Sequence, residues 1–399
     1  MRQYDLLTPL SHGPAPEFIS GQGAALRDAQ GNEYLDFNEI CVTLGQGDRF
    51  FTEKMKQALE GVTCGKSHFY RDKLYDCLME TTRGDFTAVH LTASGSEAAE
   101  WAVKLAQKTK GRSEVLSFWN SIHGRTHLSA SMSGLSKRKT GYGPLSPGTV
   151  FGIYPDCGRC PLEHEPSSCS FACLRLLDRK IAMESAQDIA AVIVEPYQGA
   201  GVICPPAGWL KQLEQWTRRQ GALFIVDEIQ SGMGRSGYLY QYQQLGLRPD
   251  MLLLGKSLGN GLHISALLVK ERPGEDCLPA LSGGAGDNPL ACAAACAVIE
   301  RLQGGLLEQI QQTGLRLRRQ LEQLQARHPA VTEIRIQGLA AAVEFVSPQV
   351  CAQVSQALAQ ARILTAPYGD RALTLKPPFS VSEEQIDCVV RVMAQGLSS

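Results

Sequence analysis

The sequence predicts an α/β fold whose parallel sheet is covered on both faces, followed by a smaller α+β region. Two observations carry this. Short, continuous apolar runs alternate with helical stretches over the first two thirds of the chain, and the texture changes near Asn288. A strand without polar alternation is buried on both faces, and parallel strands joined by helices are the usual way to bury it. The runs 89–92, 115–118, 191–194, 223–226 and 251–254 fit such strands. Between them, 97–110 fits a helix closed by Gly111, and 210–219 fits another.

Beyond Asn288, segments 290–302 and 306–328 have helical periodicity, the second with an Arg- and Gln-rich polar face. Short strands follow at 332–336, 340–345 and 373–375, then a last helix over 382–393. Near the start, Gly-Asn-Glu-Tyr-Leu-Asp-Phe (31–37) fits a hairpin-like arm. The expected division is an arm over 1–45, a large α/β domain over 46–287 and a small domain over 288–399. No period of 20–50 residues marks a repeat array.

Composition narrows the function classes. At 399 residues the chain has room for roughly two to three domains. Its net charge of −1 leaves no basic footprint for nucleic acid. No apolar run is read as reaching the ~18 residues of a membrane span. Met1-Arg2-Gln3-Tyr4-Asp5-Leu6 lacks the apolar core of an export signal. The odd count of 13 cysteines then fits reduced thiols in a cytoplasmic protein. Glycine, at 39 residues, exceeds the usual ~7% and fits an α/β fold rich in ligand-binding turns.

Ligands of open parallel sheets bind at the carboxyl ends of the strands. Three apolar strands here end in polar residues. Val194 runs into Glu195-Pro196, Val226 into Asp227-Glu228-Ile229-Gln230, and Leu254 into Gly255-Lys256. A carboxylate directly after a buried strand is costly unless paired. Between another strand and its helix, Ser94-Gly95-Ser96-Glu97 has capping-box spacing, and a helix N-terminus there offers N–H groups to a phosphate. A phosphate site, a carboxylate for a ring cation and a lysine on a loop together suit pyridoxal phosphate. Neither a glycine fingerprint for a nicotinamide cofactor nor a GxxxxGK[ST] loop is present.

With these motifs in order, the chain resembles the class III aminotransferases, of the fold type I pyridoxal-phosphate enzymes. The resemblance covers most of the chain. It runs through Ser94-Gly95-Ser96-Glu97-Ala98, His123-Gly124-Arg125-Thr126, Glu195-Pro196-Tyr197-Gln198-Gly199, Asp227-Glu228-Ile229-Gln230-Ser231-Gly232, Gly234-Arg235-Ser236-Gly237, Pro249-Asp250, Gly255-Lys256 and Asn288-Pro289-Leu290-Ala291. It implies a large domain on a mainly parallel seven-stranded sheet, a smaller α+β C-terminal domain, and a homodimer with the active site at the interface. By resemblance, Lys256 forms the Schiff base with the cofactor, Asp227 pairs with the ring nitrogen, and Gln230 bonds the ring hydroxyl. Gly95 and Ser96 cradle the phosphate, and Ile229 packs on the ring. Ile122, His123 and Glu195 are the other expected cofactor contacts. Arg125 corresponds to an arginine that takes a substrate carboxylate, a task for which a guanidinium fork is suited.

Four positions depart from the family pattern. Ile122 replaces an aromatic residue that stacks on the ring, with Trp119 as the alternative. Ala200 replaces a common Glu after Gln-Gly. Thr374, a candidate substrate contact, stands three residues before Pro377-Pro378, where relatives carry the arginine for the α-carboxylate. Losing both members is coherent, because that Glu caps that Arg. Gly284 replaces a phosphate-binding Thr, with Ser282 or backbone groups as substitutes. Lys376 shares a strand face with Thr374 and is the candidate to stand in for the missing arginine. Tyr197 and residues 38–40 are weaker candidates for substrate contact.

The expected activity is therefore amino-group transfer between an amino acid or amine and a keto acid, with atypical substrate recognition. A racemase, epimerase or decarboxylase on the same fold remains the alternative. A catalytically silent relative is disfavoured by an intact Lys256, Asp227 and Gln230. Separately, Cys157, Cys160, Cys169 and Cys173 have metal-like spacing, and a loop of free thiols or a local disulfide is the competing reading.

Overall fold

A computed structural model describes residues 16–61, 67–272, 274–276 and 286–398. The N-terminal arm forms β1 (Phe18–Gln22), β2 (Ala25–Asp28) and β3 (Glu33–Asp36), followed by helices α1 (Arg49–Leu59) and α2 (Phe69–Thr81). The α/β region then runs β4 (Ala88–Thr92), α3 (Gly95–Lys110), β5 (Glu114–Phe118), α4 (His127–Met132), β6 (Thr149–Gly152), α5 (Ala172–Glu184), β7 (Ile189–Val194), α6 (Trp209–Arg219), β8 (Leu223–Asp227), α7 (Gln241–Gln244), β9 (Met251–Leu254) and β10 (Ser265–Val269). The remainder is α8 (Pro289–Arg301), α9 (Leu307–Arg327), β11 (Val331–Gln337), β12 (Ala340–Phe345), α10 (Pro348–Gln360), β13 (Ile363–Leu364), β14 (Ala366–Tyr368), β15 (Ala372–Leu375) and α11 (Glu383–Leu397).

The central sheet has seven strands in the order β4-β10-β9-β8-β7-β5-β6. All neighbours are parallel except β10, which runs antiparallel to both β4 and β9. The apolar runs dictate its place in the core. Every residue of β7, β9 and β10 is buried, as continuous apolar strands require. Small residues let α3 lie close on one face, where Ala98, Ala99, Ala102 and Ala106 pack with Ile193, Ile225 and Leu253. The order brings the ends of β7, β8 and β9 side by side, so Glu195, Asp227 and Lys256 emerge at one edge.

The expected domain division differs from the packing. Helix α8 is buried from Ala291 through Ile299 and lies against α1, α2 and the turn that starts at Lys256. It therefore belongs with the large sheet rather than with the small domain. The run Pro289–Arg327 is long and apolar enough to cross a membrane, contrary to the sequence expectation, but 61% of its apolar window is buried inside the fold, as in a core helix. Gly305, at φ +97°, lets the chain turn from α8 into α9. The C-terminal sheet is antiparallel in the order β11-β12-β15-β14. The arm completes a third sheet by pairing β3 in parallel with β13 of the C-terminal part. Arm and small domain thus meet, and a bridge from Asn38 to Lys376 continues that meeting toward the site.

Leu253 is fully buried between α3 and the centre of the sheet. Leu253→Ala is expected to cost about 2–5 kcal/mol in chemical denaturation, whereas Met183→Ala, at an 87% exposed position, should stay within about 0.5 kcal/mol.

Candidate active site

Asp227 ends β8 at 3% exposure. Its Oδ2 lies 2.7 Å from His123 Nδ1, and its Oδ1 accepts the Ile229 backbone N–H at 3.0 Å. An ionised carboxylate only accepts, so Nδ1 carries the hydrogen and donates it. His123 is itself held, its backbone N–H donating to Ser133 Oγ. His123 Nε2 is buried and has no partner among the described residues.

Glu195 follows β7 and ties two loops together. It accepts from Ile122 N at 3.0 Å and from Gly199 N at 2.8 Å. Burial raises its pKa, and the nearby Asp227 adds to the rise. Gly199 is the hub of the next layer. Its carbonyl accepts both Gln230 Nε2 and Lys376 Nζ, each at 2.7 Å. A Cβ at Gly199 would stand 2.4 Å from Gln230 Cδ, so only glycine admits this approach.

Lys256 begins a tight turn after β9 with φ +38°, a region that side chains other than Gly rarely occupy. Strain of this kind is kept where the surroundings enforce it. Burial lowers the amine's pKa, against the opposing pull of Asp227 and Glu195. A lowered pKa favours the neutral amine that a nucleophile needs.

At the start of α3, Ser94 Oγ accepts the Glu97 N–H at 3.2 Å. The expected reciprocal bond differs: the Glu97 carboxylate reaches one residue further, to the Ala93 N–H. Ser96 Oγ accepts the Arg125 N–H at 3.0 Å, which leaves its own hydrogen free to donate. Gly95 and Ser96 stand in the first turn, where N–H groups have no intrahelical acceptor. Ile229 packs over this turn, so close that a Cβ on Gly95 would be 2.7 Å from its Cδ1. Gly255, on the other side, would meet Ile229 Cγ2 at 3.3 Å. Ile229 is thus wedged between the helix start and the lysine strand.

The structure brings Gly95, Ser96, Ile122, His123, Glu195, Asp227, Ile229, Gln230 and Lys256 into one connected site. Ser282 and Gly284 lie outside the described residues. Arg125 is exposed, at the turn beside Ser96. Thr374 does not serve as expected: it is 2% exposed, and its hydroxyl donates to Ala366 O, so it is spent on the β14–β15 edge. Tyr197 packs with Val202, Ala340 and Ala342 at 1% exposure, a core position rather than a substrate contact. Trp119 is exposed at the end of β5. The four clustered cysteines are free thiols lining one pocket with Phe171 and Pro206. Burial and the neighbouring thiols push Cys157 up to about 11. Among the described residues no group of three or more His, Cys, Asp or Glu is placed to hold a metal ion.

One feature went unread in the sequence, and one candidate reaches the site by a contact the sequence did not show. Arg235 is a buried brace, donating to the carbonyls of Leu339, Pro377 and Glu39 while its guanidinium lies over Phe379. Its only sequence signal was its glycine-flanked motif. Lys376 joins the site through the Gly199 carbonyl, a contact with no local signature.

Residues 14–397 match the model of the class III aminotransferase family. The acetylornithine aminotransferase of Listeria innocua is 32% identical, over 94% of each chain. The diaminobutyrate–2-oxoglutarate aminotransferase of Rhizobium meliloti is 30% identical, over 94% of this chain and 86% of its own. Among solved structures, an amine transaminase from an uncultivated Pseudomonas species in its PLP-bound form superposes with a TM-score of 0.91 at 26% identity, over 100% and 99% of the two chains. The omega transaminase of Pseudomonas jessenii in complex with PMP gives 0.91 at 28%, over 99% and 96%.

Burial holds Lys376 down to about 7, helped by the charges of Lys256 and Arg235 and opposed by Glu195. The unfolded lysine keeps its proton to about pH 10.4, so native stability rises with pH between about 7 and that value and levels off at its lower limit below about 7. The unfolding free energy of wild type relative to Lys376→Met, from chemical denaturation, should therefore stay flat below about pH 7 and climb toward pH 9, by up to about 1.4 kcal/mol per pH unit.

Proposed function

Since the chain belongs to the class III aminotransferases, we propose that it moves an amino group between an amino acid or amine and a keto acid at Lys256, in a pocket with altered carboxylate recognition. The reaction is PLP-dependent, as in the family. The named relatives act on acetylornithine and diaminobutyrate, which supports an amino-acid donor. They do not favour the racemase or decarboxylase alternative.

The residues present fit pyridoxal phosphate. The first-turn N–H groups of α3 and the free hydroxyl hydrogen of Ser96 suit its phosphate. Asp227, locked by His123, suits a protonated ring nitrogen. Gln230 keeps its Oε1 and one N–H for the ring hydroxyl, and the glycine at 95 leaves Ile229 free to flank the ring. When bound, the cofactor supplies a carbonyl that takes up the amine and a ring that accepts the electron pair released at the substrate's Cα.

The observation that carries this reading is the pairing of a part-buried Lys256, its pKa lowered by desolvation, with a buried, fixed Asp227 at adjacent strand ends. Lys256 Nζ takes and returns a proton near the reacting carbon, a task that the lowering of its pKa by desolvation favours. Asp227 holds a negative charge in one place, and the His123 N–H keeps it from turning away. Glu195 binds the loops of Ile122 and Gly199 to each other and so sets the pocket's shape.

Glutamate meets neither of the groups expected at positions 200 and 374. Ala200 has no carboxylate, and Thr374 is spent on Ala366. Glutamate is therefore a weaker donor than other amino acids. The functional unit is a homodimer, as isologous pairs are the commonest oligomers, and sedimentation tests it. The free thiols support a reducing, cytoplasmic setting.

The deciding measurement mixes the purified yellow protein with single amino acids in D2O without keto acid. An aminotransferase loses the absorbance of the lysine-bound cofactor and releases a keto acid, which names the donor. Deuterium at Cα with the band retained would instead mean a racemase or epimerase. Robust glutamate turnover would remove the altered-recognition reading. Lys256→Ala should lose at least about 10²–10⁴-fold in rate.

A further inference from the structure

At the site, the one ion pair among the described residues joins His123 to Asp227, and Lys256, Arg235 and Lys376 have none. Each acidic group around it is already occupied. Asp227 accepts from His123 and Ile229 N, and Glu195 from Ile122 N and Gly199 N. Glu39 accepts from the N–H groups of Cys41 and Val42, and Asp36 from that of Asn38. Among the cations, Arg235 spends its guanidinium on three backbone carbonyls. Lys256 is committed to the cofactor.

Lys376 is different. It is 6% exposed, yet its ammonium has one hydrogen-bond partner, the Gly199 carbonyl, and no ion pair among the described residues. An ammonium has three donors, so two are left over. A buried cation without a counter-ion is costly, which is why burial holds Lys376 down to about 7, and an anion bound beside it favours the protonated form. Its position is fixed at both ends. The backbone N–H of Lys376 donates to Phe37 O at 2.6 Å, and its side chain reaches the carbonyl that also receives Gln230. Its bond to the Gly199 carbonyl, shared with Gln230, places its ammonium beside the site, where Gly199 N also donates to Glu195.

We propose that Lys376 binds the carboxylate of the amino-acid and keto-acid substrates, using its two unoccupied donors while it keeps its bond to Gly199. The proposal rests on the aminotransferase reading. A compact ammonium lacks the planar fork of a guanidinium, so it recognises charge more than carboxylate orientation. The site therefore takes carboxylates of differing length and angle, and binds each through a single point. The exposed Arg125 is the competing cation, but water screens it, whereas Lys376 acts from a buried position.

The test uses the holoenzyme as wild type, Lys376→Met, Lys376→Arg and Arg125→Ala. Glutarate, a dicarboxylate without an amine, is titrated by calorimetry, and KM and kcat are measured with the keto-acid acceptor. The expected result for Lys376→Met is a rise of about 10- to 100-fold in both glutarate Kd and KM, with kcat changed less than threefold and the cofactor's absorbance unaltered. Lys376→Arg should recover most of the loss. Unchanged Kd and KM in Lys376→Met would overturn the proposal while keto-acid release by wild type kept the enzyme reading. A loss confined to Arg125→Ala would overturn it in favour of that arginine. A collapse of kcat together with the absorbance band in Lys376→Met, unrescued by Lys376→Arg, would make Lys376 structural. Absence of keto-acid release from any amino acid in wild type would overturn both readings.

Discussion

The hydrogen bond between His123 Nδ1 and Asp227 Oδ2 is the contact on which the site depends. A carboxylate at the end of a buried strand costs several kcal/mol in lost hydration unless donors replace the water. Here an imidazole N–H and one backbone N–H do so. The loop that carries His123 must then pass directly over the end of β8. The same loop delivers Ile122 N to Glu195 and Arg125 N to Ser96 Oγ. One buried charge thus aligns the ends of β7 and β8 with the start of α3, and the reactive lysine of β9 inherits that frame.

A second layer is organised by a carbonyl rather than a side chain. Gly199 O collects Gln230 from the loop after β8 and Lys376 from beyond β15, so it links the large sheet to the small domain. Glycine is required there because any Cβ would collide with Gln230. Ile229 has the same relation to Gly95 and Gly255, where missing side chains make room for one branched residue. Shape at this site is set by where side chains are absent as much as by where they stand.

Much of the architecture was legible. The strands over 191–194, 223–226 and 251–254 are apolar on both faces, and burial of the full runs follows from that. The placing of Asp227 and Lys256 at adjacent strand ends was legible for the same reason, since a charged residue at the end of such a strand has few places to go. What escaped was non-local. The strand β10 follows a short turn and runs antiparallel, which nothing in Ser-Ala-Leu-Leu-Val announces. The helix α8 looked like the start of the small domain because its composition changes there, yet its alanines fit it against α1 and α2.

By itself the sequence determined the fold class, the main buried strands, and the placing of Asp227 and Lys256 just beyond the ends of two of them, because burial and local hydrogen bonding are written into short stretches of residue types. Only the tertiary structure decided which polar groups are spent and which are free. Thr374 and Lys376 are two residues apart, but the hydroxyl of one closes the β14–β15 edge while the amine of the other reaches a carbonyl 177 positions away. A hydrogen-bond partner that distant is fixed by how the sheets and loops pack, and no local pattern encodes it.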